Sequence, residues 1–153
     1  MNVWYISTTT GNIVSCSFSD ENSFNKVQSI IFPHLIRDMS IASIHNHPVQ
    51  YGAPPSGKNF EMLGLEFEEF ELISSQNELW ILESCEKLFS DDYVKNIRDN
   101  VDKVYNSLYY DITLESDDDC LNLNVLNKRY GDFLLNYINE FNNIKLIRRY
   151  LYE

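Results

Sequence analysis

The residues of this chain best suited to chemistry lie in one short stretch. Ile44-His45-Asn46-His47-Pro48 is followed by Pro54-Pro55-Ser56-Gly57-Lys58-Asn59. Side chains two apart on an extended segment point to the same face. His45 and His47 can therefore hold one metal ion from a single strand end. Ser56 and Asn59 follow within one loop and can complete the site. No other part of the chain combines metal-ligand residue types at such compact spacing. The competing reading is a His-rich surface turn in which Ser56 does no more than cap a helix.

Several elements must position these residues. Residues 3–8 and 13–18 read as strands joined by Thr10-Gly11-Asn12. Val14, Cys16 and Phe18 alternate with Ser15 and Ser17, as in a half-buried strand. Asn22 or Ser23 can cap a helix with the apolar stripe Phe24, Val27, Ile30 and Ile31, ended or kinked by Pro33. A strand over residues 40–45 then delivers the histidines at its C-terminal edge. Residues 48–55 hold three prolines and Gly52, the composition of a stiff, irregular loop. Ser56 suits the N-cap of a helix with Phe60, Leu63 and Phe67 on one face. Residues 70–74 and 78–83 read as a hairpin about Ser75-Gln76-Asn77.

The C-terminal part changes character. Ser90-Asp91-Asp92 can start a helix carrying Val94, Ile97, Val101, Val104 and Leu108. Asp117, Asp118 and Asp119 lack the alternating spacing of a calcium loop and read as a solvated linker. A second helix carries Leu126, Tyr130, Phe133, Leu134, Tyr137, Ile138 and Phe141, an aromatic stripe that reads as core. Periodicity leaves residues 144–151 open between strand and helical turn.

The His-x-His-Pro and Ser-x-x-Asn elements resemble the JAB/MPN (JAMM) metalloprotease family, its RadC-like branch included. The family pattern is His-x-His-Pro, a short loop, then Ser-x-x-Asp, with a distant upstream Glu. His45 and His47 match its zinc-binding histidines, and Ser56 its carbonyl-polarising serine. Asn59 stands where the family has an aspartate as third ligand, and the loop is about one residue longer. The motif covers residues 44–59, and the order of elements matches the family core over about residues 3–83.

The resemblance implies an α/β (α+β) fold, a mixed sheet flanked by helices. It implies a single domain over 1–153, with a core to about residue 85 and an added C-terminal helical layer. It also implies one Zn2+ held by His45, His47 and Asn59, and cleavage of an amide or isopeptide bond. The substrate would be a peptide or protein, ubiquitin-like tails included. Catalytic zinc takes three protein ligands and keeps one position for a water that ionises near neutral pH. A carboxylate then moves the proton. Glu21, just past the second strand, is the candidate for that role; the helix dipole would also favour an acid there. Asp20 is a further alternative, as is the acidic run Glu66, Glu68, Glu69 and Glu71, which reads as a charged face. A neutral Asn59 oxygen holds zinc less tightly than a carboxylate. The alternative is therefore an inactive JAB/MPN-like protein-binding module, for example in a bacterial or phage effector.

Bulk properties narrow the classes. At 153 residues and 44% hydrophobic content the chain can bury a proper core. Its net charge of −11 repels polyanions, so no nucleic-acid partner is expected, Lys145, Arg148 and Arg149 notwithstanding. No apolar run approaches the roughly 18 residues of a membrane span. The N-terminus lacks the pattern of a signal peptide. Cys16, Cys85 and Cys120 are odd in number and lack CxxC spacing. Reduced thiols and a cytoplasmic setting are the expectation.

Overall fold

A computed structural model of the chain describes residues 2–7, 10, 12–18, 41–47, 54–63, 68–75, 78–84, 91–115 and 122–150. Strands β1 (Asn2–Ser7), β2 (Ile13–Phe18) and β3 (Ile41–Asn46) precede the short helix α1 (Gly57–Leu63). Strands β4 (Glu68–Ser75) and β5 (Glu78–Ser84), helices α2 (Asp91–Glu115) and α3 (Leu123–Ile138), and strand β6 (Ile144–Tyr150) follow. The fold is α+β: one mixed six-stranded sheet in the order β2-β1-β3-β4-β5-β6, with helices.

Only β3 and β4 run parallel; every other neighbouring pair is antiparallel. Parallel neighbours need a crossover connection, and here it carries α1. The start of α1 is thereby brought beside the C-terminal end of β3. Register then decides which side chains share a face. Tyr5 lies opposite Ser43, Ser43 opposite Glu71, Glu71 opposite Leu82, and Leu82 opposite Leu146. Directly opposed residues point to the same side of a sheet. That face carries Tyr5, Ser43, His45, Glu71, Ile73, Trp80, Leu82, Ile144 and Leu146, all buried.

The core under α2 and α3 joins Trp80 and Leu82 to Ile97 and Val101, and to Tyr130, Leu134 and Ile138. Gly131 allows the close approach of α3 to β5: a Cβ there would sit 3.0 Å from the Trp80 ring. Asn122 caps α3, its side chain accepting from the Val125 N–H. At the other end, the Asn139 amide bridges Leu135 O and the backbone of Leu146, tying α3 to β6.

The hairpin expected at 70–74 and 78–83 is β4–β5, longer at both outer ends. The undecided stretch 144–151 is a strand over Ile144–Tyr150, because Ile144 and Leu146 alternate inward beside β5. The expected helix after Ser23, Phe67, and the aspartates 117–119 lie outside the described residues. No helix among the described residues is long and apolar enough to cross a membrane.

Candidate metal centre

His45 is the last buried residue of β3, and His47 follows the strand directly. The His47 N–H donates to Ser74 O at 2.9 Å, so the β3–β4 ladder continues past the strand end. Extended backbone there keeps both imidazoles on one side. Their Nε2 atoms are 3.2 Å apart and their rings are tilted at 47°. His45 is 0% exposed. Burial first, and then the charge of His47, push its pKa down to about 3. The imidazole is therefore neutral at pH 7.

Asn59 sits in the first turn of α1 and closes a reciprocal cap with Ser56. The Asn59 N–H donates to Ser56 O at 3.0 Å. In return the Ser56 N–H and hydroxyl donate to Asn59 Oδ1, at 2.8 and 2.9 Å. The Ser56 N–H bond to the Asn59 side chain is the return half of a capping box; a backbone turn bond stands in place of the other half. The amide nitrogen faces inward, donating to Glu71 Oε1 at 2.7 Å and lying 3.3 Å from His45 Nε2. Both ends fix the flip: the oxygen must meet donors at Ser56, and the nitrogen must meet the carboxylate.

Glu71 corrects one expectation. It belongs not to a charged surface face but to the buried side of β4, at 0% exposure. Its Oε1 lies 3.5 Å from His45 Nδ1. Strand alternation is the reason: Glu71 and Ile73 share the covered face of a central strand. The available signal was Phe70-Glu71-Leu72-Ile73, a lone acid within an apolar strand run.

The C-terminal helices hold the loop. The Tyr130 hydroxyl of α3 donates to Pro55 O at 2.6 Å. Burial raises that phenol's pKa well above its ordinary value. Asp102 of α2 accepts from the Gly57 N–H, and any Cβ at Gly57 would collide with its carboxylate. Arg98 reaches Glu61 at 3.3 Å.

The structure thus brings together His45, His47, Ser56 and Asn59. Glu21, Asp20, Pro48 and Glu66 lie outside the described residues, and Glu68 and Glu69 lie on β4. Zinc–nitrogen bonds of about 2.0–2.1 Å at tetrahedral angles set two ligand nitrogens about 3.3 Å apart. The histidine pair fits a shared cation by that measure. Asn59 does not fit as an oxygen ligand in this arrangement, because its oxygen is turned to Ser56. Among the described residues no group of three or more His, Cys, Asp or Glu side chains is placed to hold a metal. No family model matches the chain, and no curated protein or solved structure is detectably similar to it.

Proposed function

We propose that this chain is a JAB/MPN-like domain whose His45 and His47 bind one zinc-type cation, and that it acts as a metal-dependent peptidase or isopeptidase. The observation that supports this most is the convergence of two Nε2 atoms at 3.2 Å. Two imidazole nitrogens that close can share a cation, or one neutral ring can donate its N–H to the other. The depressed pKa of His45 keeps that ring in the neutral form that a metal binds. The Glu71 carboxyl group lies 3.5 Å from His45 Nδ1 with no hydrogen bond between the two, near enough to act on a bound cation only through the field.

Bound zinc supplies a water that ionises near neutral pH. The chain's own groups supply the rest. Ser56 is exposed at the start of α1, where its hydroxyl can meet a substrate carbonyl. Its single O–H now donates to Asn59 Oδ1, so it would have to turn from that acceptor to polarise a carbonyl. Glu21 carries the proton-transfer role on the strength of the family resemblance.

A second reading, an inactive protein-binding module, draws support from Asn59. Its amide nitrogen lies 3.3 Å from His45 Nε2 while its oxygen is engaged by Ser56, so the side chain presents the pair with no ligand oxygen. Zinc titration of the purified protein against a competing chelator separates the two. The hydrolase reading expects about one zinc per chain, lost in His45→Ala and His47→Ala, and tighter binding in Asn59→Asp. A folded chain that takes up no transition metal would sink that reading and leave the binding module.

A further inference from the structure

We infer that the outer edge of β6 docks an extended acidic segment of a partner protein, which adds to the six-stranded sheet as a further antiparallel strand. Strands β4 and β5 separate this edge from the histidines, so docking there is independent of the metal.

β6 ends the sheet, and among the described residues no strand pairs with its outer side. The backbone of Leu146 is turned to that side. Its N–H donates to Asn139 Oδ1 and its carbonyl accepts from Asn139 Nδ2, each at 3.2 Å. An antiparallel neighbour exchanges both bonds with one residue in the same way, at every second position. The exposed Asn139 amide therefore stands in for one residue of a strand. By the same alternation Arg148 also turns its N–H and carbonyl outward.

Side chains define the partner. Lys145, Ile147 and Arg149 share the open face of β6, whereas Ile144 and Leu146 are buried on the other. Lys145 has Glu83 directly opposite on β5, but Arg149 has Leu79. Neither cation forms an ion pair among the described residues, in a chain of net charge −11. Arg148 is committed inward, its guanidinium 5.5 Å from the Trp80 and Tyr150 ring centroids and 3.6 Å from Asp132. Cations on an edge strand deter a second copy of that strand. Antiparallel self-pairing centred on Ile147 would set Lys145 of one copy against Arg149 of the other. They admit a strand reading acid–x–apolar–x–acid, which meets Lys145, Ile147 and Arg149 in register. A nucleic acid would match the charges but has no strand backbone to offer Leu146 and Arg148.

Titration of the 15N-labelled full chain with the capped peptide Thr-Glu-Thr-Val-Thr-Glu-Thr tests this directly. Binding is expected, with amide shifts centred on Leu146 to Arg149 and new hydrogen-exchange protection at Arg148. Proline in place of the two central threonines keeps both glutamates but removes the N–H groups that meet Leu146 and Arg148. That peptide should bind at least about tenfold more weakly. Arg149→Glu sets like charges opposite each other and should weaken the parent peptide at least about tenfold. Asn139→Ala removes the stand-in amide, and the peptide should bind about fivefold tighter, thermal unfolding showing that the variant is folded. The inference is overturned if β6 shows no shifts, or if the proline peptide or Arg149→Glu leaves affinity unchanged. Unchanged or weaker binding in a folded Asn139→Ala chain overturns it too, since the peptide would then not use the Leu146 edge. Equal binding of a single-stranded oligonucleotide at the same residues, or a dimer in sedimentation without peptide, likewise overturns it.

Discussion

The same face of the sheet is buried at both ends, but with opposite contents. Under α2 and α3, strands β5 and β6 contribute Trp80, Leu82, Ile144 and Leu146. Toward β1, β3 and β4 the buried positions include Ser7, Ser43, His45 and Glu71 beside Tyr5 and Ile73, with Asn59 arriving from α1. Burial stabilises the first region roughly in proportion to apolar area. In the second, every buried polar group costs stability unless a partner meets it. Side chains of the apolar half are interchangeable within limits of volume. Those of the polar half are fixed one by one by the atoms they face. Such an arrangement is costly to fold and suited to chemistry.

The largest effect that would sharpen this contrast is expected at Trp80. Trp80→Ala removes a fully buried ring packed on Gly131 and beneath the Arg148 guanidinium. We expect a loss of about 3–5 kcal/mol in urea unfolding. A cost under about 1 kcal/mol would mean the apolar half is not the main support of the fold.

The polar half should reveal itself through pH. The pKa of His45 is lowered from 6.5 to about 3 by burial and by His47. Between those values the unfolded chain binds a proton that the folded chain refuses. Stability from this group is thus complete above about pH 6.5 and falls as pH drops toward 3. The slope approaches about 1.4 kcal/mol per pH unit for one proton. With chelator present, His45→Gln should lose stability less steeply than the parent over that window. Parallel curves would show that burial of His45 carries no such cost.

A smaller effect tests the link between the halves. Tyr130→Phe removes the hydroxyl that holds Pro55 O, with a cost of about 1 kcal/mol. Zinc affinity should weaken alongside, because the loop ahead of Ser56 loses its anchor. Unaltered affinity in a folded variant would make the α3 contact a matter of packing alone.

Much of the framework was legible in the sequence. Leu79 to Glu83 alternates as a strand should, and His45 and His47 converge because extended backbone repeats every two residues. Tyr130 was readable as core from its helical spacing. The object of its hydroxyl was not, since Pro55 is 75 residues away and no local pattern encodes that pairing. Glu71 was misread because runs of acids usually face water, and only the sheet order makes β4 a central strand. The direction of the Asn59 amide depends on donors at Ser56 and an acceptor at Glu71, which no single position can announce.

The Tyr130–Pro55 bond also bears on the order in which the chain matures. Chains are synthesised from the N-terminus, but a domain folds as a unit. β1, β3, α1, β4 and β5 leave the ribosome before Tyr130 has been added. During that interval the segment ahead of Ser56 has its local cap but lacks its distant tether. The bond closes 75 residues of chain, a non-local contact of the kind that forms slowly. Completion of the histidine site should therefore wait on the last long helix, which acts as its latch.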